Sequence, residues 1–267
     1  MKAARITIND SYGRMSRFVN ELPRRFDAEG TLVFKGRNTI KLYEVCGETL
    51  TVKKYKDYNF LQRVAYTFFK PSKAVRAYRY ASLLNAKGIR TPREVACIEM
   101  RRGLLCVTGY FVSAFCDDPS VKTLLESGDG CDGNADRQIT PRKMSLLKSV
   151  GEFIADMHAK GVLHGDLNIS NILCGKGIGG GYELSVIDTD RAVFKTPSVD
   201  ECMEDLKRVT HHREVLVCII RAYAAKRGWN AEETIAGTLQ KLNAFEKKNL
   251  LKRKLKGIVG KEKHTNS

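Results

Sequence analysis

The chain has 267 residues, 43% hydrophobic and 28% charged, enough to bury a sizeable core in one large domain or two lobes. Its 46 Lys and Arg against 30 Asp and Glu give a net charge of +16, which points to anionic partners such as nucleic acid, acidic lipid or a polyphosphorylated substrate. The opening stretch MKAARITINDSYGRM has no apolar core of a secretory signal, and no apolar run reaches the roughly 18–20 residues of a spanning helix, so the expected location is cytoplasmic or peripheral.

Phe18, Leu22 and Phe26, four apart, predict a short amphipathic helix near the start. From Thr31 to Tyr55 the β-rich runs are separated by KGRN and CGE, turn chemistry that predicts three antiparallel strands. A helix follows, capped by Ser72, closed by Gly88 and barred from resuming by Pro92. Two more strands, VACIEM and LLCVTGYFV, flank the turn RRG.

Beyond Asp117 helical signals dominate. Thr140 and Pro141 open a helix whose Leu147, Val150, Ile154 and Met157 form one apolar stripe, and Gly161 ends it. A hairpin comes next, VLHGDLNISNILC then YELSVID, joined by GKGIGGG, and the remainder from about Asp200 reads as helices. The eight cysteines contain no C-x-x-C pair and sit mostly among aliphatic residues, which suits reduced, buried thiols rather than disulfides or zinc.

The chemistry concentrates in the hairpin. His164, Asp166 and Asn171 stand in the spacing H-x-D-x-x-x-x-N, and Asp188 follows Asp166 by 22 residues, at the end of an apolar strand. Phosphoryl transfer needs such a set: an acid to orient the acceptor hydroxyl, and two oxygen ligands for Mg²⁺ on the phosphates. Turn-stabilising Asx side chains would account for one or two of these residues but not for the third carboxylate. In LTVKKY, strand alternation puts Lys53 on the face opposite Lys54, and Lys53 falls in the place of a phosphate-binding lysine. Gly36, Arg37 and Asn38 are the candidates for a loop over the phosphates; a plain hairpin turn fits the same residues.

These phrases, with GRNTIKLY, PSKAVRAYRYASLLNAKGIRTP and VIDTDR, occur in family order over roughly residues 30–230. The sequence resembles the lipopolysaccharide kinase family, bacterial kinases of inner-core Kdo and heptose sugars within the protein-kinase-like superfamily. The resemblance implies an α+β, two-lobed fold: an N-terminal helical extension (1–29), an N-lobe of antiparallel sheet plus one helix (30–112), a mainly helical C-lobe (113–246) and a basic tail (247–267). It implies ATP and Mg²⁺ as cofactors and a sugar hydroxyl of lipopolysaccharide or a lipid A precursor as acceptor, at the inner face of the inner membrane.

By the same resemblance Asp166 is the base, Asn171 and Asp188 hold the metal, Lys53 binds phosphate and His164 braces the loop. Asp190 and Arg191 are then available to a second metal or to acceptor charge. One departure stands out. Kinases pair the strand lysine with a glutamate on the next helix, yet between Lys54 and Pro92 the only acid is Asp57. A pseudokinase that binds nucleotide or anionic glycolipid without turnover is therefore the alternative, as is a kinase acting on a small molecule or protein. The basic tail suits an anionic membrane surface or simple solvation, while nucleic acid lacks the interleaved aromatics it would need.

Overall fold

In the computed structural model, which describes residues 2–127 and 139–262, the segment expected to be a helical extension opens with a strand. β1 (Lys2–Ile8) pairs antiparallel with β5 (Glu94–Arg102), from Lys2 opposite Arg102 to Ile8 opposite Ala96. The helix α1 (Ser16–Arg25) then buries Val19 and Leu22, with Phe26 just beyond it, against Tyr43, Leu50 and Val112. Ile6, Ile8, Met15, Val19, Leu22 and Phe26 thus complete the core under the sheet instead of forming a separate extension.

The three expected strands are β2 (Thr31–Lys35), β3 (Thr39–Val45) and β4 (Glu48–Lys54). Cys46 and Gly47, at φ +52° and +78°, join β3 to β4 in the positive-φ pair that suits the twist of a two-residue hairpin. With β6 (Leu105–Ala114) the six strands run in the order β1-β5-β6-β4-β3-β2. Lys41 reaches across to cap α1, donating to the Phe26 carbonyl at 2.6 Å and the Glu29 carbonyl at 2.7 Å, and so supplies partners to carbonyls that the helix end leaves open.

Between β4 and β5 lie α2 (Phe60–Val64), a π-helical turn (Ala65–Phe69) and α3 (Lys73–Ala86). The Ser72 hydroxyl caps α3 by accepting from Val75 N–H at 3.4 Å, and Gly88 at φ +66° follows its end. α3 lies close on the sheet because Gly109 faces Ala74: a Cβ at Gly109 would meet the Ala74 Cβ at 2.8 Å.

The chain divides into two compact units: Met1–Pro119 with Asn171–Gly175 and Glu183–Ala192, and Ser120–Ser170 with Lys176–Tyr182 and Val193–Ser267. The first reaches beyond the expected 30–112 at both ends. It also takes in two later segments, because Cys174 N–H donates to the Pro119 carbonyl and Val186 N–H to that of Arg90, both at 2.9 Å.

The second unit contains α4 (Val121–Glu126) and α5 (Pro141–Ala159), capped by Thr140 as expected. β7 (Val162–Leu163) follows and pairs with β10 (Val193–Phe194); between them in the chain comes the hairpin of β8 (Ile172–Lys176) and β9 (Tyr182–Val186), most of which belongs to the first unit. α6 (Val199–Leu206), α7 (Arg213–Arg227) and α8 (Ala231–Glu262) complete the second unit. α8 runs without a break through position 247, where a separate tail was expected to start; Leu, Lys and Glu keep helical propensity high there.

Among the described residues every cysteine is a free thiol; four are buried, while Cys46 is exposed, and Cys131 lies outside the described residues. No helix among the described residues is long and apolar enough to cross a membrane.

Candidate active site

Alternation along β4 sends Val52 into the core and Lys53 to the opposite face. Lys54 leaves with Val52's face and pairs with Asp27 at 2.9 Å. Lys53 Nζ bonds Asp188 Oδ1 at 2.6 Å, with the lysine side chain 14% exposed. Both residues line a cavity of about 340 Å³ whose walls include Val33, Leu42, Ala77, Phe111 and Leu173, with Asn171 beside them. A largely apolar cavity with a few polar and charged side chains in its wall is the ordinary form of a ligand pocket. Ser113 to Cys116, where β6 runs out, form part of its wall.

Asp188 sits at φ +59°, a left-handed conformation that Asp tolerates better than most side chains and that concentrates at functional sites. Its neighbour Ile187 donates its N–H to the Asn171 carbonyl at 2.9 Å, which ties the two oxygen donors to one hairpin.

The helix acid missing from α3 has a counterpart elsewhere: the carboxylate serving Lys53 is that of Asp188. The α3 cations turn toward the same acidic turn. Arg76 Nε donates to the Asp190 carbonyl at 2.9 Å, and Lys53, Lys73 and Arg76 all draw the Asp190 carboxyl down. Burial, and next the Asp188 charge, outweigh them, so its pKa is raised. Burial also lowers the Lys73 ammonium, assisted by Arg37. Tyr55, 2% exposed, lies under Lys53 with its hydroxyl buried and without a hydrogen-bond partner among the described residues. Arg191 is exposed.

Gly36, Arg37 and Asn38 are not among the residues lining this cavity. They form the β2–β3 turn, where Gly36 N–H donates to the Asn38 carbonyl at 3.0 Å. The Asn38 side chain is engaged by Lys56 N–H at 3.3 Å, and Arg37 and Asn38 line a separate cleft of about 30 Å³.

His164 and Asp166 belong to the second unit, on the loop after β7. The residue that holds this loop was not anticipated: Asp205 on α6, 4% exposed, accepts from His164 N–H at 2.8 Å and Gly165 N–H at 2.9 Å. His158 Nε2 stands 3.4 Å from the same carboxylate, and its Nδ1 is 3.0 Å from the Tyr223 hydroxyl. Burial alone would raise Asp205, but the His158 bond and the His164 N–H outweigh it, so its pKa is lowered. Burial likewise opposes charge on His158, yet Asp205 holds its pKa above the usual value. His164 is buried, and its Nδ1 accepts from Asp166 N–H at 3.3 Å. Leu167 is fully buried and Ile169 N–H donates to the Val209 carbonyl, so apolar anchors and backbone bonds hold the loop around Asp166.

Among the described residues no three His, Cys, Asp or Glu cluster as a self-sufficient metal site. Asn171 and Asp188 offer two hard oxygen donors, the number Mg²⁺ takes when phosphates and water supply the rest.

Comparison with known proteins places these observations. The description "Lipopolysaccharide kinase (Kdo/WaaP) family" matches residues 36–236. Two curated proteins named 3-deoxy-D-manno-octulosonic acid kinase, from Stenotrophomonas maltophilia strains K279a and R551-3, are each 31% identical over 132 residues, 49% of this chain and 46% of theirs. The match thus spans about half the length of these relatives. The solved structure "WaaP in complex with acyl carrier protein" aligns with a TM-score of 0.61 at 18% identity, covering 91% of this chain and 98% of that one. That likeness shows the α+β, protein-kinase-like fold. The family match takes in more than half of the chain, including both the lysine strand and the H-x-D-x-x-x-x-N loop, and this protein belongs to the lipopolysaccharide kinase (Kdo/WaaP) family.

Proposed function

We propose that the chain transfers the γ-phosphoryl group of ATP to a sugar hydroxyl of the lipopolysaccharide inner core, with Kdo on lipid A or its precursor as the acceptor. The observation that carries the reading is the Lys53–Asp188 pair in the wall of a largely apolar cavity that also presents Asn171. The 3-deoxy-D-manno-octulosonic acid kinases among its relatives favour Kdo over heptose.

In this reading the apolar walls hold the adenine and Lys53 binds phosphate oxygens. Asn171 and Asp188 would hold Mg²⁺, whose charge offsets that developing on the transferred group. Lys53 and Asp188 neutralise each other until nucleotide arrives, so neither charge is left buried and unpaired. Asp166 orients the acceptor hydroxyl and accepts its proton. Asp190 and Arg191 lie next along the chain to serve acceptor charge, and the basic residues of 247–267 add attraction to an anionic membrane.

Incubation with labelled ATP, Mg²⁺ and Kdo-bearing lipid A tests the reading. Label is expected on the lipid, and Asp166→Asn should lower the rate by about 10²- to 10⁴-fold with nucleotide binding retained. Nucleotide binding without transfer by the wild-type chain would replace the enzyme with the binding-only alternative.

A further inference from the structure

The segment between β4 and α3 leaves its largest apolar side chains in solvent. Phe60 is 70% exposed, Leu61 77%, Phe68 61% and Phe69 81%. This is not a loose loop. The Asn59–Gln62 capping box closes the start of α2, and Arg63 Nε donates to the Tyr58 carbonyl at 2.7 Å. Tyr66 packs edge-on to Tyr58 at 4.7 Å between centroids. The Thr67 hydroxyl accepts from Cys106 N–H at 2.9 Å, which fixes the π-helical turn to β6. Inward-facing Tyr66 and Thr67 therefore hold Phe68 and Phe69 outward, with their rings 6.5 Å apart. Leu104, 74% exposed, tips the β5–β6 hairpin two residues before Cys106. Single exposed apolar residues need no explanation, but a braced group of them marks an interaction surface.

Charge selects the partner. From Tyr58 to Arg93 the chain has no Asp or Glu; of its eight Lys and Arg, Lys73 and Arg76 turn toward Asp190 and Arg90 pairs with Glu183, which leaves Arg63, Lys70, Arg79, Lys87 and Arg93 outside that site. A cavity of about 370 Å³ beside Phe68 and Phe69 is lined by Arg5, Lys70, Arg79 and Arg101, with Glu99 as its one carboxylate. Glu99 stands 4.0 Å from Arg101, whose Nε is buried without a hydrogen-bond partner among the described residues. Aromatic and aliphatic side chains projecting from a cationic collar have the composition of an interfacial anchor, in which rings enter the acyl boundary while cations meet anionic headgroups.

We infer that the surface formed by Phe60, Leu61, Phe68 and Phe69 seats the protein on an anionic lipid bilayer, with the adjoining basic cavity receiving lipid phosphate. The inference is independent of the phosphotransfer reading, since it uses none of that site's residues.

The test is sedimentation of the full chain with vesicles of phosphatidylethanolamine and phosphatidylglycerol, compared with phosphatidylcholine alone. Binding to the anionic vesicles is expected to be at least about tenfold tighter and to weaken with salt. Phe68→Ser with Phe69→Ser should reduce it by about tenfold or more without moving the melting temperature, since both rings are solvent-exposed, and Lys70→Glu should weaken it on anionic vesicles alone. In a Phe69→Trp variant, acyl-chain-brominated lipid should quench the added fluorescence.

Vesicle binding undiminished by the double substitution, or an unquenched Trp at position 69, would overturn the inference. So would a wild-type chain that ignores vesicles and instead binds an acidic, acyl-bearing protein through these residues.

Discussion

Replacing Asp205 by Asn is the sharpest probe of the loop that carries Asp166. The carboxylate satisfies two backbone donors at 2.8 and 2.9 Å and faces His158 at 3.4 Å. Asn keeps one acceptor oxygen and turns an NH₂ toward a remaining donor, so at least one charge-assisted bond is lost. Such bonds are worth about 1.5–3 kcal/mol each, and a buried histidine left without its anion adds to the loss. The sum is about 3 kcal/mol, which at this chain size lowers the melting temperature by roughly 6–12 °C. Calorimetry of Asp205→Asn, His158→Gln and the double variant should also give a coupling above about 1 kcal/mol. Phosphotransfer should fall in Asp205→Asn even well below its melting point, because the loop is no longer pinned. A variant that melts within about 2 °C of wild type, or single effects that simply add, would refute the account.

The same pair sets a pH window. His158 binds its proton more tightly folded than unfolded, so its contribution is complete below about pH 6.5 and is lost as pH rises through the folded value. Asp205 is depressed; its contribution is present above about pH 4 and is lost as pH falls through its lower folded value. Melting temperature should therefore depend on pH less in His158→Gln than in wild type above about pH 6.5, as paired melting curves would show.

Lys53→Met should weaken ATP binding by about tenfold to a hundredfold in calorimetric titration, the worth of one charge-assisted contact. Lys54→Met should change it little, its partner Asp27 being 82% exposed. Gly151→Ala should cost about 2–3 kcal/mol on chemical denaturation, because a Cβ there meets the Ile219 carbonyl oxygen at 2.4 Å and the Tyr223 nitrogen at 2.9 Å.

Local signals carried much of the structure. Cap residues and glycines placed α3 and α5, and alternation in LTVKKY separated Lys53 from Lys54 before any contact was known. What escaped was non-local. β1 is a strand because β5, about ninety residues later, hydrogen-bonds to it; its own side chains, among them Ala3, Ala4 and Arg5, alternate too weakly to announce it. Asp205 lies in a helix that also carries Asp200, Glu201 and Glu204, and in sequence it looks like one more solvated acid. Its surroundings come from distant parts of the chain, the loop at 164–165 and His158. The cationic character of α3 read as a defect because the acid expected for Lys53 was sought on that helix, whereas the Lys53 partner comes from Asp188, 135 positions further on. For the β2–β3 turn the sequence leaves two readings open, and the Asn38 side chain adds a bond outside the hairpin, accepting from Lys56 N–H.

The first compact unit is discontinuous, since its final segment, Glu183–Ala192, is preceded in the chain by the whole of α5 and the loop of the second. During synthesis the six-stranded sheet can assemble once Ala114 has emerged, yet Lys53 has no counter-ion until Asp188 follows. The cavity end is thus among the last parts of that unit to form, and a chain cut after Pro119 would retain the sheet's strands while leaving a cation without its pair. The order of folding and the completion of this ion pair are in this way tied together by a single carboxylate.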